Sequence, residues 1–231
     1  MKNPFKSSEW KYPKDWPPED FFCHDMDIKK DQILEFEKLV ESNVNERIID
    51  AFIKNNPNIL ANCLKFLKTG NHGAWVIPQQ QIKPSVGQNN KGQIPDYILG
   101  GCSSDGFSWF ILELKGVEHK MFKIDNNKKL NLSSILNSAV CQTLEYIDYC
   151  AEQQSYLRDG LKLNDFREPR GLILIGRESE VDDNPRLQKV KSSWNRYLGS
   201  KIEIRTYDSL LRIAKKEYSF QNTETKILAN S

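Results

Sequence analysis

One short run near the middle of the chain constrains its fold most. Trp109-Phe110-Ile111-Leu112 is an unbroken apolar stretch, and Glu113-Leu114-Lys115 follows it directly. A continuous apolar run of this length is typical of a strand that is buried on both faces, as in a sheet covered by helices on either side. The run therefore predicts a central strand that ends in two charged side chains.

The rest of the sequence predicts an α/β fold with a mixed central sheet flanked by helices. Other strand patterns, rich in branched and aromatic residues, occupy residues 74–77, 94–99, 171–176 and 201–207. Helical spacing of apolar residues covers 33–40, 48–53, 58–67, 132–157 and 185–198, with a further helix after Asp208. Asn43 or Asn45 is the candidate N-cap of the second helix. The Gly100-Gly101 and Asp105-Gly106 pairs predict a hairpin-type loop between the second and third strands.

Composition excludes several classes of protein. The 231 residues are 39% hydrophobic and 28% charged, which fits one folded domain with an appendage and excludes a disordered chain. No apolar run approaches the roughly 18 residues of a membrane span. The lysines near the start precede no apolar segment, so we expect a cytoplasmic protein with no membrane partner. The five cysteines form no CxxC pair, which argues against a disulfide framework and a zinc site.

The first part of the chain has a character of its own. Four of the ten prolines fall within residues 1–28, among many aromatic residues. Such a segment cannot be a regular helix and is too aromatic for a solvated tail. We interpret residues 1–45 as an aromatic and proline-rich extension with a first helix, and residues 46–231 as the main domain.

The charged end of the central strand is a candidate site. Strand side chains alternate, so Glu113 and Lys115 project from the same face about 7 Å apart. Asp96 is a single carboxylate in the preceding strand pattern. In an antiparallel pair the start of one strand lies beside the end of its neighbour, so Asp96 is expected to meet this face. The alternative is an ordinary salt bridge at a strand end.

Two carboxylates beside an ammonium suggest a specific chemistry. Mg²⁺ prefers one or two carboxylates, completed by carbonyl oxygens, waters and phosphate oxygens. The peptide oxygen of Leu114 is the natural third protein ligand for Asp96 and Glu113. In this interpretation Lys115 orients or deprotonates the attacking water. The predicted reaction is phosphodiester hydrolysis.

These residues resemble a known family. Pro95-Asp96 followed by Glu113-Leu114-Lys115 resembles the PD-(D/E)xK signature of the restriction-endonuclease-like nucleases. Gln142 and Tyr146 are similar to the QxxxY motif of the RecB-like branch. Glu46 begins a pattern that resembles the opening of the Shedu antiphage nuclease domain, and the pattern continues with Ile49, Phe52, Asn56, Pro57 and Leu60.

The resemblance implies a restriction-endonuclease-like core and a DNA endonuclease that depends on Mg²⁺ or Mn²⁺. It also implies bacterial antiphage defence and assembly as a homo-oligomer. By position, Asp96 and Glu113 would bind the metal and Lys115 would be the catalytic lysine. Gln142 would position the lysine, water or phosphate, and Glu46 would join the metal site.

Local charge suggests where DNA binds. Residues 186–216 hold nine basic residues against two acidic ones, although the net charge of the whole chain is only +2. We predict phosphate contacts for Lys120, Lys189, Lys191 and Arg196. The alternative is that these residues form the solvated face of surface helices.

Two rival functions remain at this point. The first is a nucleic-acid-binding or assembly protein of the same fold that has lost cleavage activity. The second is an RNA-cleaving toxin. A comparison of RNA, single-stranded DNA and duplex DNA substrates with Mg²⁺ or Mn²⁺ would separate the toxin from a DNA nuclease.

Overall fold

A computed structural model describes residues 10–24, 27–83, 92–182 and 184–229, with side chains as far as residue 221. The strands are β1 Gly73–Pro78, β2 Tyr97–Ser103, β3 Gly106–Leu114, β4 Phe122–Ile124, β5 Leu130–Leu132, β6 Arg170–Leu174 and β7 Ile202–Arg205. Five of them form one sheet in the order β1-β2-β3-β6-β7. The β1-β2-β3 group is antiparallel, whereas β6 and β7 continue parallel to β3. The predicted α/β fold with a mixed sheet is confirmed.

Strand β3 is the central strand that its apolar run predicts. Its side chains alternate between two cores, with Phe110 and Leu112 on one face and Trp109 and Ile111 on the other. Each of these four residues is buried. Helices cover both faces, which explains why the sequence of β3 is apolar without alternation.

The helices follow the apolar spacing closely. They are α1 Lys30–Glu41, α2 Glu46–Asn55, α3 Pro57–Ala61, α4 Ser134–Glu152, α5 Ser179–Asp182, α6 Pro185–Tyr197 and α7 Tyr207–Ala229. The N-cap of α2 is Asn45, whose side-chain oxygen accepts a hydrogen bond of 3.1 Å from the N–H of Ile48. No helix in the described ranges has the length and hydrophobicity needed to cross a membrane.

The predicted hairpin between the second and third strands is confirmed at Asp105-Gly106, but its extension to Gly100-Gly101 is wrong, because both glycines lie within β2 and the chain turns between Ser103 and Gly106. A Cβ on Gly100 would lie 2.6 Å from the ring of Trp109, and one on Gly101 would lie 2.5 Å from Cγ2 of Thr69. The glycines therefore make room for neighbouring side chains and do not mark a turn. Strand β2 begins at Tyr97 and not at residue 94 as predicted, so Asp96 precedes the strand.

The N-terminal segment packs against the edge strand β1. The backbone N–H of Cys23 donates to the carbonyl of Ala74 at 2.8 Å, and Phe22 forms an isolated bridge with Trp75. The indole N–H of Trp75 donates to the Tyr12 hydroxyl at 2.9 Å. Aromatic residues between 10 and 22 cluster around Trp75 and thereby cover part of this sheet edge.

Candidate active site

The end of β3 brings together the first charged pair. The Glu113 side chain is only 3% exposed, and its Oε1 accepts a hydrogen bond of 2.7 Å from Nζ of Lys115. Oε2 of Glu46, in the first turn of α2, lies 3.7 Å from the same Nζ. The N–H of Val117 donates to the carbonyl of Val44 at 2.9 Å, which holds the start of α2 beside the end of β3.

Asp96 reaches the same place from the start of β2. Its Oδ2 accepts a hydrogen bond of 2.8 Å from the backbone N–H of Leu114. The N–H and C=O of one strand residue point to the same side, so the Leu114 carbonyl also faces Asp96. The structure thus gathers Asp96, Glu113, Lys115 and Glu46 around one point, while their catalytic and metal-binding roles stay predictions.

Burial sets the protonation of the carboxylates. Burial, and then the negative charge of Asp96, raise the pKa of Glu113 to about 7. Burial also raises the pKa of Asp96 and of Glu46. Burial alone would lower the pKa of Lys115, but the hydrogen bond and charge of Glu113 outweigh it, so this pKa is raised. Lys115 is therefore an ammonium at neutral pH, and Glu113 needs a counter-charge to stay ionised.

The raised pKa of Glu113 gives a prediction for the metal-free protein. The folded state keeps this proton up to about pH 7, whereas the ordinary pKa is 4.5. The protonated carboxyl therefore stabilises the fold fully below pH 4.5, and this stabilisation is lost as the pH rises through 7. Glu113→Gln removes the titration. The free energy of unfolding of the variant minus that of the wild type should rise by up to about 3 kcal/mol between about pH 4 and pH 8.

Urea unfolding at several pH values measures this difference directly. Glu168→Gln, which removes an exposed carboxylate near the opposite end of the sheet, is the control, and this rise should be absent from its difference. Absence of the rise for Glu113→Gln as well would contradict the raised pKa.

The donor set can accommodate a hard cation. Oε2 of Glu113 is buried and has no hydrogen-bond partner among the described residues, so one carboxylate oxygen is unused in a desolvated position. Asp96 and the Leu114 carbonyl lie on the same side. In the described part of the chain, no three Asp, Glu, His or Cys side chains are grouped closely enough to hold an ion by themselves. A backbone oxygen or water would therefore have to complete any coordination shell.

An open cleft of about 500 Å³ lies over this point and includes residues that the motifs did not identify. Asp50 lines it one turn after Glu46 on α2. The hydroxyl of Tyr97 donates to Oδ1 of Asp50 at 2.6 Å, and Nζ of Lys54 lies 2.7 Å from its Oδ2. The sequence could have identified Asp50, because its spacing of four residues from Glu46 places both side chains on one helical face.

Two further residues line the cleft. Of the described residues in its lining, Arg47 alone carries a positive charge. Gln79 follows β1 with φ at +46°, and its N–H donates to the carbonyl of Asp96 at 2.9 Å. A non-glycine residue in the left-handed region beside a group of charged residues is a pattern that recurs at functional sites. No local sequence signal identified either residue, because both enter the cleft through tertiary packing.

Gln142 and Tyr146 lie on α4, which packs on the sheet. Tyr146 is half-buried, and burial followed by the charges of Glu113 and Asp96 raises its pKa to about 12. Tyr146 is thus within electrostatic reach of the site. Gln142 is half-buried one turn earlier and shares its helical face.

The predicted DNA contacts do not form one surface. Lys189 and Arg196 are exposed on α6, and their spacing of seven residues places them on the same side of the helix. Lys191 points away from that side and is half-buried in a cleft of about 350 Å³ that Glu178 also lines. Burial lowers the pKa of the Lys191 ammonium. Lys120 is exposed in the loop before β4.

Comparison with known families identifies the chain. Residues 43–211 match the family model described as the Shedu protein SduA, C-terminal. The chain belongs to this family. The SduA C-terminal match spans the whole five-stranded sheet and every residue of the candidate site, whereas α1 and the aromatic segment before it lie outside. A sequence comparison with curated proteins found no match.

Proposed function

We propose that this Shedu-family protein is a divalent-metal-dependent endonuclease that hydrolyses DNA phosphodiester bonds in antiphage defence. The observation that carries the proposal is the arrangement at the end of β3. Lys115 is paired with a buried Glu113 beside Asp96, and the second oxygen of Glu113 has no hydrogen-bond partner in the ranges that the structure describes. A purely structural salt bridge between Lys115 and Glu113 would not need a second carboxylate, Asp96, whose burial is costly.

The proposed metal ligands are the carboxylates of Asp96 and Glu113 and the carbonyl of Leu114. Mg²⁺ or Mn²⁺ bound there would supply Lewis-acid chemistry, which acidifies a water and neutralises phosphate charge. The desolvation that raises the pKa of both carboxylates favours their pairing with a cation. Glu46 is near enough to Lys115 to join this group of charges.

Lys115 is proposed to donate hydrogen bonds and not to act as a base. Its raised pKa keeps it protonated at neutral pH, so it can orient the attacking water or stabilise charge that develops on the phosphate. Gln142 is proposed to position the lysine, water or phosphate from α4. Tyr146 would support this face of the helix.

A phosphodiester must approach this site past several carboxylates. Arg47, at the rim of the cleft, is suited to offset their repulsion. Lys120, Lys189 and Arg196 remain proposed contacts to DNA phosphates, and Lys191 would reach a phosphate only from the cleft that it lines with Glu178. Assembly as a homo-oligomer also belongs to this proposal, and light scattering of the purified protein would test it.

The exposed face of α6 gives a prediction for DNA binding. The double variant Lys189→Glu and Arg196→Glu should weaken duplex DNA binding by about tenfold or more at low salt. It should also reduce the slope of log K against log salt by about 2, because two phosphate contacts are lost. Fluorescence anisotropy at several salt concentrations measures both quantities. Lys38→Glu on α1 is a matched control. Unchanged affinity in the double variant would show that this face of α6 is exposed to solvent and does not contact DNA.

One observation favours the alternative of a catalytically silent binding or assembly protein. Lys115 closes an ion pair on Glu113, and the described carboxylates do not form a ready-made metal cluster. Incubation of the full chain with supercoiled plasmid in Mg²⁺, Mn²⁺ or EDTA distinguishes the two. The proposal expects nicked or linear product only with metal, whereas DNA binding without any cleavage would support the alternative. Parallel single-stranded DNA and RNA substrates test the substrate class.

A further inference from the structure

A second cleft lies at the opposite end of the sheet from the candidate active site. Its volume is about 600 Å³, and it is bounded by residues 67–69, the turn between β2 and β3, and the start of β6. Arg170 at the start of β6 pairs with Phe110 in the middle of β3, whereas Leu174 at the end of β6 pairs with Leu114. Four residues of strand separate the two ends by about 13 Å. A ligand in this cleft is therefore not the phosphate of a bond being cleaved at Lys115.

We propose that this cleft binds a small oxyanion, the phosphate or carboxylate group of a soluble ligand, through Thr69 and Arg170. The proposal does not depend on nuclease activity. It rests on two residues that line the same cleft, each with a buried polar atom that has no hydrogen-bond partner in the described part of the chain, and on the charges around them.

The first atom is the hydroxyl oxygen of Thr69. The residue is only 5% exposed, and Oγ1 has no hydrogen-bond partner in the described part of the chain. The nearby Gly101 is packed tightly against it, since a Cβ there would lie 2.9 Å from Oγ1. A buried hydroxyl without a partner is destabilising and is uncommon in folded proteins. A ligand atom that accepts its proton would remove this penalty.

The second atom is Nε of Arg170, which is also buried and has no hydrogen-bond partner among the residues that the structure describes. The rest of this guanidinium is fixed, since Nη2 donates to the Gly199 carbonyl at 2.9 Å and the group lies 5.6 Å from the Phe110 ring centroid. A guanidinium has no acceptor atoms, so only an acceptor on a ligand or water can satisfy Nε. A charged oxygen gives the stronger hydrogen bond.

The charges of the cleft favour an anion at the Arg170 end. Lys68 and Arg167 also line the cleft. Of the acidic residues in the lining, Glu168 is paired with Lys201 at 2.7 Å. Asp165 lies beside the β2–β3 turn, where its Oδ2 would be 3.9 Å from a Cβ on Gly106. Asp105 belongs to the same turn, so the acidic residues of the lining are either at this turn or already paired with a lysine.

Thr69→Val tests the proposal, because valine keeps the shape of threonine and removes only the hydroxyl. In Tris chloride buffer without oxyanions, the variant should melt about 2–4 °C above the wild type, since the unpaired hydroxyl is gone. Inorganic phosphate and acetate are then added separately at matched ionic strength. One of the two anions should raise the melting temperature of the wild type. The affinity of that anion, measured by calorimetry, should be at least tenfold weaker for Thr69→Val than for the wild type. An effect of phosphate would identify the ligand group as a phosphate ester, whereas an effect of acetate would identify it as a carboxylate.

Thr143→Val is the matched control. Thr143 is also fully buried, but its hydroxyl donates to the Ala139 carbonyl at 2.8 Å. This variant should not be stabilised and should keep the anion effect. A lower melting temperature for Thr69→Val would show that a structural water already satisfies the hydroxyl, and would overturn the proposal. The proposal would also be overturned if neither anion raised the melting temperature of the wild type, or if an anion raised that of Thr69→Val by the same amount.

Discussion

Lys115→Ala is expected to lower metal-dependent DNA cleavage by about 10³-fold, while DNA affinity stays within about threefold of the wild type. The ammonium of Lys115 is held by Glu113 at 2.7 Å and lies 3.7 Å from Glu46. A hydrogen-bond donor placed where charge develops in the transition state typically contributes a factor of 10²–10³ to the rate. It contributes little to ground-state binding, which depends on many phosphate contacts.

The measurement is single-turnover cleavage of a labelled duplex, with anisotropy for binding. Lys115→Met keeps most of the side-chain volume and guards against loss of packing. Loss of the ammonium leaves Glu113 to take up a proton, so circular dichroism should show an intact fold at neutral pH. Lys201→Ala, at an exposed lysine near the opposite end of the sheet, should cleave normally. Unchanged cleavage by Lys115→Ala would remove this residue from the reaction.

The second large effect concerns the metal itself. Mg²⁺ or Mn²⁺ at about a hundred times its dissociation constant should raise the melting temperature of the wild type by about 5–10 °C. Glu113→Gln and Asp96→Asn should lose most of this rise, because each removes a charged ligand from a desolvated position. This readout does not require catalysis.

Differential scanning fluorimetry with and without EDTA measures the rise. Glu168→Gln is again the control, because it removes a carboxylate that is exposed and far from the site. If all four proteins gain the same stability from metal, the ion binds elsewhere and the assigned ligands are wrong. If metal does not stabilise the wild type, the alternative of a catalytically silent binding or assembly protein is favoured.

Several parts of the fold could be predicted because their cause is local. The apolar run before Glu113 required burial on both faces, and the structure has β3 between β2 and β6. The position of Asp96 followed from strand pairing alone, although Pro95 and the bend at Asp96 delay the start of β2 to Tyr97. In these cases the hydrophobic pattern and the pairing rules agree with the final structure.

Other parts could not be predicted because their cause is tertiary. Gly100 and Gly101 have the composition of a turn, and only the positions of Trp109 and Thr69 explain why they belong to a strand. Arg47 enters the candidate site only because α2 docks beside the end of β3. The orientation of Lys191, in contrast, could have been predicted, because residues two apart in a helix point to nearly opposite sides and Lys189 is two residues away.

The most direct test of the central claim is the position of a bound ion. Crystals of the full chain soaked in Mn²⁺ should show one strong anomalous peak within coordination distance of Asp96, Glu113 and the Leu114 carbonyl, and Glu113→Gln crystals should lack it. A peak bound elsewhere in catalytically active crystals, or cleavage that persists in EDTA with no ion at this position, would contradict the account.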